Sequence, residues 1–307
     1  MARAPAPAAE PAAGDPLKGY AAVAFAVAVW AGWIVATRDQ VASLAPLDIA
    51  LMRYGVPALL LAPIWLRRGI VPRGEDPRRL AIMAAGWGGG FVVLTAKGLE
   101  TVPTALFGPM VPATLPLIVA VWDLAVSRTP IGRERGLGLV LIAVSIGLIV
   151  GPAALRGDAG FFAGAPYLFL AACGWSAFTI AYRRSTLNGL EATAYVCLWS
   201  APFLLIALAV FGTELPQASP AMIGWLLLSQ GVLSGIGAVA GFTYAVRHLG
   251  VARTSSFTSL VPMGAALGGW AFLGEVPGPL DWASVAFACV GVALVNGAWG
   301  ALGARRS

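Results

Sequence analysis

The sequence predicts an all-α integral membrane protein of ten transmembrane helices, built as two inverted five-helix repeats with both termini cytoplasmic. Three observations carry this. Charged residues are 11% of the chain and apolar residues 59%, where soluble domains hold about 25% and about 45–50%. Apolar runs recur along the chain at about 20 residues, the length that crosses a hydrocarbon core of about 30 Å as a helix. The two halves also share a residue pattern.

In chain order the expected spans are Gly19–Ala36, Leu47–Leu66, Leu80–Leu99, Thr104–Val126, Gly136–Pro152, Gly160–Tyr182, Ala192–Gly212, Ala221–Val246, Thr254–Leu273 and Asp281–Leu302. Residues 1–17 are rich in Ala and Pro and are expected to form a disordered cytoplasmic tail. No separate cleavage site follows a short apolar stretch, so the first run reads as a retained span. Residues 18–155 then form the first repeat and residues 156–303 the second. The three cysteines, Cys173, Cys197 and Cys289, fall inside apolar runs with no metal-ligand spacing and read as small buried residues.

Orientation follows from the basic residues, which concentrate on the cytoplasmic side of membrane proteins. With the N-terminus inside, the cytoplasmic segments hold Arg3 and Lys18; Arg67, Arg68, Arg73, Arg78 and Arg79; Arg128, Arg133 and Arg135; Arg183 and Arg184; Arg247 and Arg253; and Arg305 and Arg306, which is 16 of 20. Adding or removing one span reverses every later loop and destroys the bias. The net charge of +6 therefore points to membrane topology and not to nucleic acid.

The repeat rests on aligned residues. An offset of 145 pairs Trp30 with Trp175, Arg38 with Arg183 and Pro57 with Pro202. Pairing Pro112 with Pro262 also brings Val111 to Val261, Phe107 to Phe257, Thr104 to Thr254, Leu99 to Leu249 and Lys97 to Arg247. A two-residue gap then pairs Trp122 with Trp270. Five spans per repeat is an odd number, so the second copy enters the membrane from the opposite side. Many secondary transporters use this plan, with the substrate site near the midplane between the repeats.

Two copies of five spans, the first with VWAGWIVATRDQ, Pro46 and the arginine of ALMRYGVPALLL, the second ending YAVRHLGVARTSSFTSLVPMGAALGGWAFLGEVPGPLDWASVAFACVGVALVNG, resemble the EamA-type transporters of the drug/metabolite transporter superfamily. The resemblance covers roughly Gly19 to Leu302. It implies a bacterial inner-membrane carrier that moves a small metabolite outward by alternating access, with an amino acid or related organic compound as the substrate class. One departure stands out. Where the first repeat would carry its own counterpart of Gly274-Glu275, it has Val126-Ser127.

Ionisable residues inside a membrane are costly and mark candidate sites. Arg53 lies within the second span. It suits a substrate carboxylate or phosphate, or a structural role on neighbouring carbonyls. Asp123 suits a proton-coupling group, or an interfacial carboxylate paired with a nearby arginine such as Arg128. Glu275 and Asp281 are expected to stabilise the turn between spans 9 and 10, and Lys97 and Glu100 to pair locally. Trp30, Trp33 and Trp175 suit either a substrate cavity or helix packing. Gln230, Tyr244, Ser255, Ser256 and Thr258 suit a polar lining or interhelical hydrogen bonds. Pro109, Pro112, Pro116 and Pro262 are expected to bend spans 4 and 9 beside the transport path. The glycine pairs Gly237/Gly241 and Gly264/Gly268 permit close helix contact.

Enzymatic chemistry is not expected. The one histidine, His248, falls at a loop, neither lysine sits in a phosphate-binding loop, and no metal or cofactor site is read. The expected partners are a small-molecule substrate and the lipid bilayer, with proton coupling and homodimerisation both compatible with the chain. Two other readings stay open: a non-transporting accessory or sensor protein, and a lipid flippase.

Overall fold

A computed structural model describes residues 16–297. The expected N-terminal tail lies outside the described residues, except that Pro16 and Leu17 already begin the first helix. Residues 298–303, at the end of the second half, also lie outside. Among the described residues every regular element is helical.

The helices follow in order. α1 is Pro16–Gln40. α2 is Pro46–Leu60 continued by Ala62–Arg68. α3 is Pro77–Trp87 with Gly89–Leu99. α4 is Thr104–Met110 with Thr114–Ala125. α5 is Arg133–Arg156, α6 is Ala159–Tyr182 and α7 is Gly189–Phe211. α8 joins Pro220–Leu226, a π-helix over Leu227–Gly237, and Ala238–Leu249. α9 joins Val251–Phe257, a 3-10 turn at Thr258–Leu260, and Val261–Leu273. α10 is Pro279–Val295. By length and apolarity eight of these cross a membrane, and α2 makes a ninth if its two pieces, bent by 58°, count as one span. α10 is apolar but only 17 residues long within the described residues.

Local sequence explains the ends. Proline opens α2, α3, α8 and α10 in the first turn, where its missing N–H removes no helical bond. Asn188 and Glu191 cap α7 reciprocally. Gly157 and Gly274 end α5 and α9 in the left-handed conformation that glycine adopts without strain.

The two halves interlock. α1 packs against α8 and α9, while α6 packs against α3 and α4; α4 meets α9, and α5 meets α10. The first helix of each half therefore crosses into the third and fourth helices of the other. Glycine makes these crossings close. A Cβ on Gly86 of α3 would lie 2.3 Å from the Gly174 carbonyl oxygen of α6, and one on Gly264 of α9 would lie 2.8 Å from Ala31 of α1. α5 and α10 exchange two hydrogen bonds: Ser145 Oγ donates to the Ser284 carbonyl at 2.8 Å and Ser284 Oγ to the Ser145 carbonyl at 2.9 Å. Such bonds between helices in lipid average about 0.6 kcal/mol.

Proline breaks meet in the middle. α4 is interrupted at residues 111–113, after Pro109, and Thr114 Oγ1 donates to the Pro109 carbonyl at 3.1 Å. α9 tightens into its 3-10 turn just before Pro262. Gly108 and Pro262 touch, since a Cβ on Gly108 would lie 2.3 Å from the proline Cβ.

Candidate functional site

Trp33 of α1 is the hub of the interior. Its ring stacks on Phe91 of α3 at 6.3 Å and meets Phe107 of α4 edge-on at 6.0 Å. Its Nε1 donates to Gln230 Oε1 at 2.7 Å. Gln230 Nε2 donates in turn to Thr37 Oγ1 at 3.0 Å and to Gln40 Oε1 at 2.7 Å, and Gln40 Nε2 donates to Ser229 Oγ at 3.0 Å. The chain places Thr37 and Gln40 one and two turns beyond Trp33 on the same face of α1. The π turn of α8 brings Ser229 and Gln230 opposite them. Gln230 and Gln40 are fully buried, so this network stays out of water.

Arg53 of α2 lies over the ring of Trp33. It is 5% exposed. Its guanidinium carbon sits 5.9 Å from the Trp33 ring centre, 5.7 Å from Tyr54 and 5.9 Å from Trp87. Its Nε is buried without a hydrogen-bond partner. Tyr54 is held by donating to the Trp87 carbonyl at 2.6 Å. Trp175 of α6 completes the cluster, stacked with Trp87 at 6.5 Å and edge-on to Phe91 at 5.7 Å. Aromatic side chains from both halves thus fill the middle around one cation.

Of the residues singled out in the sequence, Trp33, Arg53, Gln230 and Trp175 come together here. Trp30 lies one turn before Trp33 and packs on Phe242 of α8 at 5.4 Å. Tyr244 is 41% exposed and stacks on His248 at 4.1 Å. Ser255 and Ser256 lie near the start of α9; the Ser255 carbonyl accepts from Asn296 Nδ2 and the Ser256 carbonyl from Ser259 Oγ. Thr258 Oγ1 donates to the Ser255 carbonyl. Tyr54, Trp87, Phe91, Thr37 and Gln40 were missed. Aromatic and small polar residues in apolar runs carry no mark of which helix face they occupy until the partner helix is known.

The two ends of the molecule are tied by charge. At the end holding Gln40 and Leu99, Arg38 Nε meets Glu275 Oε1 at 2.7 Å. Arg38 also donates to the carbonyls of Leu99 at 2.5 Å and Glu100 at 2.8 Å. Glu275 Oε2 accepts from the backbone N–H and the hydroxyl of Thr104, both at 2.8 Å. One carboxylate therefore joins the ends of α1, α3 and α9 to the start of α4. It borders a concavity of about 320 Å³ lined by Arg38, Asp39, Glu100 and Leu273. A second, of about 180 Å³, lies at the same end beside α5 and Asp281. Lys97 and Glu100 pair locally at 2.6 Å, as their spacing suggested.

At the opposite end Asp123 of α4 lies between two arginines. Arg183, at the end of α6, reaches Oδ1 at 3.0 Å, and Arg135 of α5 reaches Oδ2 at 2.9 Å. Arg128, nearer in sequence, instead occupies a tight turn with φ of 52°. Beside this pair Glu75 accepts from Thr186 N–H at 2.5 Å, Thr186 Oγ1 at 2.7 Å and Ser185 Oγ at 3.0 Å, and meets Arg79 at 3.4 Å. Burial pushes the Glu75 carboxyl up, but these hydrogen bonds and the Arg79 charge outweigh it and leave it below the usual carboxylate value. α2 and α7 are tied at both ends. Asp48 accepts from Thr213 Oγ1 and, at 3.0 Å, from the Glu214 N–H; Arg68 meets Glu191 at 2.8 Å.

Known proteins share this layout. A solved crystal structure superposes with a TM-score of 0.57 over 91% of this chain and 95% of its own, at 15% identity, which shows a common fold. The inner membrane transporter YedA of Escherichia coli strain K12 is 26% identical over 283 residues, 87% of each chain. A protein of Streptantibioticus cattleyicolor named "Probable terminal-alkyne amino-acid exporter" is 29% identical over 293 residues, 91% of this chain and 93% of its own. The EamA-like transporter family matches twice, over residues 17–151 and 162–297. With both halves matched and interlocked, this multi-pass membrane protein belongs to the EamA-like transporter family.

Proposed function

We propose that this protein is an inner-membrane carrier that exports a small organic metabolite by alternating access, and that Arg38–Glu275 and Arg183–Asp123 are its two closures. The observation that carries this is the relation between the two ties. Arg38 and Arg183 are counterparts under the 145-residue offset, each closing the first helix of its half. Each binds a carboxylate at the end of the fourth helix of the other half, one tie at each end of the molecule. Asp123 stands one helical turn before Val126-Ser127, the place aligned with Gly274-Glu275, so the first half keeps the carboxylate in a shifted register.

Ten spans with both termini inside put the Arg38 tie at the outer face and the Arg183 tie at the inner face. Of the described basic residues, those outside the interior gather at the Arg183 end, except Arg38, Lys97 and Arg156, which supports that orientation. With both ties closed, the arrangement corresponds to an occluded carrier. Opening one while the other holds exposes the middle to one side. The double ties between α2 and α7 leave those helices as the fixed frame. The meeting of Gly108 with Pro262 gives α4 and α9 a shared bend about which their end segments can tilt.

An accessory scaffold without cargo predicts an interior closed by small residues. Here the middle is filled by Trp33, Trp87, Phe91 and Trp175 around Arg53 and not by small residues, which departs from what such a scaffold predicts. The amino-acid exporter among the relatives supports small organic compounds that carry a carboxylate as first candidates. Purified protein in liposomes, offered labelled amino acids, organic acids, polyamines and nucleosides with and without a pH gradient, should move at least one class. No flux of any class in either direction would overturn the carrier reading.

A further inference from the structure

We infer that the cargo is a monocarboxylate with a flat apolar body, its carboxylate completing Arg53 and its body taking the place between Trp33, Trp87 and Trp175. The inference rests on the carrier reading above and adds the chemical class. Three facts meet at Arg53. It is 5% exposed with a buried Nε that bonds nothing. Among the described residues no carboxylate forms an ion pair with it; Asp48, five residues earlier on the same helix, is turned to Thr213 and the Glu214 N–H. And α8 departs from α-helical geometry over the 11 residues that pass it.

That π-helix brings Gly235 so close that a Cβ there would lie 3.2 Å from Arg53 Nη1. The neighbouring Ser234 Oγ is also buried without a partner. A long π segment is a costly irregularity that recurs at functional sites. The site therefore offers a buried guanidinium Nε with nothing to accept from it, which is what an arriving carboxylate supplies.

Charge counting narrows the class. One guanidinium matches one negative charge, whereas a phosphate monoester would bring nearly two. Among the described residues no carboxylate forms an ion pair with Arg53, and Asp48 on its own helix is bonded to Thr213 and the Glu214 N–H, so no anion there balances an ammonium group. The same buried guanidinium repels polyamines and cationic drugs. The rings around the guanidinium, at 5.7–5.9 Å, hold it by cation–π attraction and also offer stacking faces.

Three matched probes test this: 3-phenylpropanoate, 3-phenylpropanamide and 3-phenylpropylammonium, titrated into purified protein while its melting temperature and tryptophan fluorescence are followed. For the wild type the anion should act at concentrations at least tenfold lower than the amide or the ammonium. Arg53→Gln should abolish that preference and should melt higher than the wild type without probe, because it removes a buried cation that the empty protein leaves unmatched. Arg53→Lys should keep an anion preference weakened about tenfold, since the compact ammonium loses the planar fork. Equal action of the three probes on the wild type would overturn the inference. So would an Arg53→Gln protein that melts lower or does not fold, for then the arginine is structural. Neither measurement uses flux, so failure here leaves the carrier reading standing, and failure of flux leaves this result readable.

Discussion

At the residue scale the charged groups divide by whether they have partners. Glu275 is the most heavily bonded carboxylate at its end. Burial pushes its carboxyl up, but the Arg38 guanidinium and the Thr104 N–H and hydroxyl pull it down further, and the net result is below the usual 4.5. A depressed acid contributes stability above its ordinary value and loses it as pH falls through the lowered one. The difference in melting temperature between wild type and Glu275→Gln should therefore be constant from about pH 8 to about pH 5 and shrink only in stronger acid. The substitution itself should cost about 1–3 kcal/mol, since it strands a half-buried guanidinium. Gln230 gives a second case. Gln230→Ala unpairs the Trp33 N–H and removes the partner of Gln40, and a loss of about 1–3 kcal/mol in thermal or denaturant unfolding is expected. Little of this was legible in the sequence. Arg38 and Glu275 are 237 residues apart, and Asp123 bonds Arg183 rather than Arg128, because the arginine five residues away sits past the helix end in a turn. Nearness in sequence misleads wherever the partner belongs to the other half.

At the element scale the helices were legible and their irregularities only partly so. Apolar runs coincide with α1 to α9 because length and apolarity are what a bilayer demands. Pro109, Pro112 and Pro262 lie at the irregular stretches of α4 and α9, where a missing N–H leaves a helical bond unmade, whereas Pro152, Pro166 and Pro202 lie inside helices that continue through them. The π-helix of α8 had no such marker. It arises where Gly231 and Gly235 let Val56 and Pro57 of α2 approach, and that contact exists only after folding. The tight crossings make a clear prediction. Gly86→Val drives a side chain into the Gly174 carbonyl, and Gly108→Leu drives one into Pro262. Each should cost about 1–3 kcal/mol or more and lower the monodisperse fraction after extraction, whereas Gly32→Ala, with nothing within 4 Å, should leave it unchanged.

At the scale of the whole molecule, the repeat explains why two dissimilar ends are tied in the same way. One tie uses a glutamate after α9 and the other an aspartate inside α4, yet both join the first helix of one half to the fourth of the other. The direct test reads which side the middle faces. A reporter cysteine at buried Val92 of α3, beside Phe91 of the central cluster, in a chain with Cys173, Cys197 and Cys289 replaced, is exposed in liposomes to an impermeant thiol reagent from either side. Glu275→Gln should speed labelling from the outer side at least fivefold, and Asp123→Asn should speed it from the inner side by as much. Acceleration from the same side in both variants, or from neither in folded protein, would contradict the account.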